Sequence, residues 1–183
     1  MALPFLRAWR EVRGREGRAR EYVATLMTEP PADFCLQLAA AGDSDEDHAR
    51  WELRYARRAI GLLIAERDAL DDRTSSEVAA ELSVAHGSDT NIAPDRREVA
   101  DRQLNDRLRG YRAAMADRSS AARTAERLAI TLLRFAGAAP GENDAVRFAT
   151  DVTGAMVLEC NAALRKAFGE ASLPADVKPS ELR

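Results

Sequence analysis

HARWELRYARRAIGLLIAERDALDDR, residues His48 to Arg73, carries apolar side chains at helical spacing on two opposite faces. At 100° per residue, Ala49, Leu53, Ala56, Ile60, Leu63 and Leu70 form one stripe, and Trp51, Tyr55, Leu62 and Ala69 form another. A surface helix needs one apolar stripe, so a helix with two must be covered on two sides. The segment predicts a helix over 45–72, about 42 Å long at 1.5 Å per residue. It is central to its fold, with the second stripe covered either by its own chain or by a partner.

The surrounding chain has the same character. Period-two alternation is absent and β-branched residues are scattered, whereas helix patterns and their stops recur. Glu29-Pro30-Pro31 ends an amphipathic stretch over 3–27, because consecutive prolines cannot continue a helix. Ala32–Ala41 then runs to Gly42. Ser44 with Asp47, and Thr74 with Glu77, are spaced as capping boxes, the second opening a short helix over 75–86 before Gly87. Pro94 suits the first position of a helix reaching Asp117, with Ala100, Leu104, Leu108, Tyr111 and Met115 inward.

Ser119 or Ser120 caps the next helix, whose stripe is Ala121, Ala125, Leu128, Leu132 and Phe135. Ala149, Val152, Met156, Cys160, Ala163 and Ala167 share one face of the last, closed by Gly169. The expected fold is therefore all-α. Four long helices (45–72, 94–117, 120–136 and 144–168) form a bundle with shorter helices packed around it. A single domain is expected, divided into an N-terminal helical arm (1–43), a bundle core (44–169) and an extended tail (170–183).

Composition narrows the function classes. The 183 residues are 46% hydrophobic and 31% charged, enough for a buried core without disulfides. Of 27 basic residues only Lys166 and Lys178 are lysine. The net charge of −3 and pI near 5.5 nevertheless leave no global basic footprint for nucleic acid. Cys35 and Cys160 match no metal or redox spacing, and Cys160 reads as a reduced core thiol. Arg7 interrupts the apolar start before a signal sequence can form, and Ala59–Ala65 is far shorter than the roughly 20 residues of a membrane span. A cytoplasmic location is expected.

Candidate chemistry is sparse. Asp45, His48 and Glu52 fall at i, i+3 and i+7, so one helix face could offer three metal ligands. A carboxylate-bridged bundle site would instead need Glu-x-x-His pairs on facing helices, and the chain has none. Asp68, Asp71 and Asp72 cluster where a helix C-terminus disfavours carboxylates. Arg67 lies on the first stripe, either with its stem packed and its head in solvent or in a buried ion pair with Glu159. No phosphate loop, dinucleotide fingerprint or nucleophile elbow occurs, so no cofactor and no catalytic residue are assigned.

Three functions remain. The leading one is a non-enzymatic interaction or scaffold protein, acting on itself or another protein through Trp51, Tyr55, Leu62 and Ala69. The second is a bundle holding a small ligand or metal, with a pocket near Trp51, Tyr55 or Tyr111. The third is membrane-surface association through residues 1–27, where Phe5, Trp9 and Val12 sit among six arginines and three glutamates. If the second stripe is a dimer interface, Trp51→Ala or Leu62→Asp lowers the mass measured by light scattering while the chain stays helical. Unchanged mass in both folded variants assigns the stripe to the interior.

Overall fold

The computed structural model describes residues 4–69, 72–116, 120–138 and 143–169, with side chains described from Arg13 onward apart from those of Ala121 and Asn143. Among these residues there are seven α-helices and no strand. They are α1 (Pro4–Leu26), α2 (Ala32–Gly42), α3 (Glu46–Asp68), α4 (Asp72–Gly87), α5 (Arg97–Ala116), α6 (Ala121–Phe135) and α7 (Asn143–Phe168). A single 3-10 turn, Pro94–Arg96, leads into α5. The side chains of Phe5, Trp9 and Val12, the position Leu70 and the tail 170–183 lie outside the described residues.

The expected all-α class is the observed one, and α3 lies at the centre, packing against each of the other six helices. The first apolar stripe is thus covered within the chain as far as Leu63, whereas on the second Tyr55 is buried and Trp51 and Leu62 are half-buried. Leu53, Ala56, Ile60, Ile64 and Ala65 are buried in a continuous cluster with Leu38 of α2, Val78 and Leu82 of α4, Tyr111 of α5, Leu128, Leu132 and Leu133 of α6, and Met156 and Cys160 of α7. Residues expected in an N-terminal arm join the same cluster. Ala19, Tyr22, Val23 and Leu26 of α1 and Cys35, Leu38 and Ala39 of α2 are all buried. At 23 residues α1 equals α3 in length.

Helix ends follow local chemistry, with three shifts from expectation. The helix expected over 45–72 is interrupted. Its last backbone bond runs from Ala69 N–H to Ala65 C=O, and Ala69 itself is extended. The break places Asp72 in the first turn of α4, where a carboxylate is favoured by the helix dipole rather than opposed by it. Ser75 and Ser76 hydroxyls both donate to the Asp72 carbonyl. Thr74 is consequently an interior, buried residue of α4 rather than its cap. At the start of α3 the cap is Asp45, whose carboxylate accepts from His48 N–H at 2.7 Å. Ser120 caps α6 by accepting from Arg123 N–H.

Two glycines permit close approach. A Cβ on Gly61 would lie 2.2 Å from a Leu26 methyl, and the Gly61 carbonyl accepts from Tyr22 O–H at 2.8 Å, so α1 seats directly on the α3 backbone. A Cβ on Gly42 would stand 2.3 Å from the Ala136 carbonyl oxygen, which bars any side chain where α2 meets the end of α6. Gly61→Ala is expected to destabilise by about 1–3 kcal/mol through overpacking, read as a lower urea midpoint. Adding Leu26→Ala to it restores part of the loss, because the two sites share one clash. Additive losses in the double variant would disprove the contact.

Candidate functional site

Four charged residues of α3 are buried: Glu52, Arg54, Arg57 and Arg58. Each meets an opposite charge from a different part of the chain. Arg54 donates to Glu29 from the α1–α2 connection at 2.6 and 2.9 Å. Arg57 donates to Glu159 of α7 at 2.7 Å. Glu52 receives both Nε and a terminal nitrogen of Arg107 on α5. Arg58, only 1% exposed, donates to Asp89 in the α4–α5 connection at 2.5 Å, and the Asp89 carboxylate is itself 5% exposed. An uncompensated buried charge is costly, so these pairs fix where the neighbouring segments sit.

The Arg58 pair extends into a short relay. A second terminal nitrogen of Arg58 lies 2.7 Å from His86 Nδ1, and His86 is 2% exposed. A guanidinium can only donate, so Nδ1 accepts and the imidazole proton resides on Nε2. His86 Nε2 makes no hydrogen bond; the Asp101 carboxylate of α5 stands 3.5 Å away. Arg58 Nε is likewise buried and unpaired. Burial first, then the Arg58 charge, hold the His86 pKa below its ordinary 6.5, against the opposing pull of Asp101, the Ala100 backbone and Asp89. Burial alone would raise the Asp89 pKa. Hydrogen bonds from the Asn91 backbone and from the Arg58 and Asn91 side chains, together with the Arg58 charge, bring it below 3.8 instead.

Arg58 and His86 form part of the wall of a cleft of ≈ 530 Å³ between α3, α4 and α5. Leu62, Leu82, Leu104 and Leu108 supply its apolar surface, and Ser83, Asp101 and Asn105 its polar part. That volume lies within the range of about 300–1,000 Å³ typical of small-molecule sites. The cleft opens because α4 lies mainly against α1 and α3 and only lightly touches α5, which packs on α3 and α6.

The sequence candidates are redistributed. Asp45, His48 and Glu52 do not converge: Asp45 caps α3, a His48 ring nitrogen lies 3.2 Å from the Phe135 carbonyl, and Glu52 is held by Arg107. Among the described residues no group of three or more His, Cys, Asp or Glu is placed to hold a metal. Arg67 and Glu159 do not pair. Arg67 is exposed and bonds to the adjacent Asp68, whereas Glu159 belongs to Arg57, ten residues earlier on α3.

Of the second stripe, Tyr55 is buried, donating to Gln103 at 3.0 Å beneath the Arg107 guanidinium. Trp51 is half-buried with Arg54 stacked 4.5 Å above its ring, Leu62 lines the cleft, and Ala69 follows the helix end. Burial and a buried Glu52 charge push the Tyr55 pKa up to about 12 despite Arg107 and Arg58. Cys160 is also a core thiol, pushed up to about 12 chiefly by burial. Sequence reading passed over Arg58, His86 and Asp89 as a set. The available signal was an arginine pair with apolar residues on both sides, in AlaArgArgAlaIle, at a helix centre.

No protein-family model matches this chain, and no curated protein or solved structure matches it either. The class defined by the fold and site is an all-α bundle with an ion-paired central helix and a side cleft. No helix among the described residues is long and apolar enough to cross a membrane.

His86 makes stability depend on pH in a definite direction. Below pH 6.5 the unfolded chain takes up a proton that the folded chain resists, so acidification favours unfolding, by at most about 1.4 kcal/mol per pH unit for one proton. Asp89 adds a loss of the same sign only below about pH 3.8, where its depressed pKa keeps the folded chain from the proton that the unfolded chain accepts. Urea midpoints measured from pH 7.5 to 5 are expected to fall, and His86→Gln, which keeps an acceptor for Arg58, flattens that fall. An equal slope in the variant would remove His86 as its cause.

Proposed function

We propose that this protein binds a small, largely apolar molecule in the cleft between α3, α4 and α5. The observation that carries this reading is the cleft itself, ≈ 530 Å³ with leucine and alanine over most of its wall and a few polar groups, Ser83, Asp101 and Asn105 among them. The reading favours the ligand-holding bundle over an interaction face on the second stripe, since Tyr55 is covered by α5 and Leu62 faces the cleft. It leaves Ser83, Asp101 and Asn105 as polar groups that a ligand can meet and gives no residue a catalytic role.

The test is optical. The neutral naphthalene dye PRODAN is expected to bind with a blue-shifted emission. Ser83→Trp, which fills the cleft from an exposed position on its wall, is expected to weaken binding at least tenfold. Val84→Trp, at the exposed neighbouring position outside the cleft, leaves it within twofold. No shift with the wild-type chain, or equal effects of the two tryptophans, would reject the cleft as the site.

A further inference from the structure

We infer that the cleft takes an organic cation, an ammonium group on a compact apolar body, and that the Asp101 carboxylate recognises its charge. The inference rests on the cleft reading above and names the chemistry of its occupant. One helix face forms each side wall. Asp101, Leu104, Asn105 and Leu108 of α5 fall at i, i+3, i+4 and i+7, and face Leu82, Ser83 and His86 of α4. Exposure sorts these residues by polarity. Ser83, Asp101 and Asn105 are exposed, whereas Leu82 is buried and Leu104 and Leu108 are half-buried. The cleft therefore has an apolar floor and a polar rim.

Charge singles out the occupant. Arg58 and Asp101 are the charged residues in the cleft lining. Arg58 is 1% exposed, and Asp89 meets its charge from inside the protein. The Asp101 side chain is 60% exposed, and among the described residues it forms no ion pair with an arginine or lysine. Its neighbour is His86 Nε2 at 3.5 Å, and His86 is neutral at pH 7.5 because burial and the Arg58 charge hold its pKa below 6.5. A carboxylate without a counter-charge thus stands on the rim of a leucine-lined cleft. Low-dielectric walls focus such a charge, so it attracts cations and repels carboxylates. An ammonium at the rim keeps part of its water while the hydrocarbon attached to it is buried on the floor.

Three naphthalenes test this by displacing PRODAN from the full chain at pH 7.5: the cation 2-(2-naphthyl)ethylamine, its neutral isostere 2-(2-naphthyl)ethanol, and the anion 2-naphthylacetate. The amine is expected to compete at concentrations about threefold lower than the alcohol, the scale of one partly exposed ion pair, and the acid to compete least well. Asp101→Asn is expected to abolish the difference between amine and alcohol. Asp106→Asn removes the same charge from α5 outside the cleft lining and is expected to preserve it. Equal competition by amine and alcohol overturns the inference, as does preference for the acid. An amine preference that survives Asp101→Asn, or falls equally with Asp106→Asn, overturns it too. In each case PRODAN binding that remains sensitive to Ser83→Trp leaves the cleft itself standing. Absence of PRODAN binding overturns both.

Discussion

A guanidinium buried to 1% exposure at the centre of a helix bundle must be met by a carboxylate, and Arg58 is met by Asp89. The rest of the molecule is arranged around that requirement and its three counterparts on α3. Glu52 reaches α5, Arg54 the α1–α2 connection, and Arg57 α7. One helix thereby addresses most of its neighbours with directional contacts as well as with apolar packing. Apolar packing alone tolerates shifts of register, because leucine and alanine faces are interchangeable to first order. A one-turn slip of α3 would strand buried charges, and breaking a single such pair costs about 3–5 kcal/mol.

The same constraint generates the cleft. Asp89 lies beyond α4, so its bond to Arg58 draws the α4–α5 connection against α3 and carries His86 to the Arg58 guanidinium. With α4 held by α1 on one side and α5 by α6 on the other, the two helices diverge over Ala59 and Leu62. Arg58 cannot satisfy all of its N–H groups from the side facing Asp89 and His86, and its Nε remains unpaired. The interaction that seats the connection is thus the one that leaves Arg58 Nε buried and unpaired.

The aromatic residues of α3 show how charge and burial combine. Trp51 and Tyr55 lie 5.5 Å apart, with Arg54 over the first ring and Arg107 over the second. Each arginine thus serves a carboxylate and a ring face at once, which planar guanidinium geometry permits and lysine does not. The scarcity of lysine in this chain suits a core in which the buried cations must be shared between partners.

Helical class, most element boundaries and the central place of α3 were legible in the sequence, since they follow from local features. Apolar spacing near 3.6, capping residues such as Ser120, prolines 30, 31 and 94, and Gly169 act within a few residues of themselves. Where local signals competed, as between Thr74 and Asp72 for the start of α4, the choice depended on where the chain turned. Pairing was decided by tertiary structure alone. Glu159 takes Arg57 rather than Arg67, and Glu52 takes Arg107 rather than joining Asp45 and His48, because a charge seeks what lies within about 3 Å in space. Periodicity tells which face of a helix is buried but not which residue of another helix meets it. Two-sided burial of α3 was therefore determined by its own sequence, and the Arg58–His86–Asp89 relay with its cleft arose only when three distant segments closed on that helix.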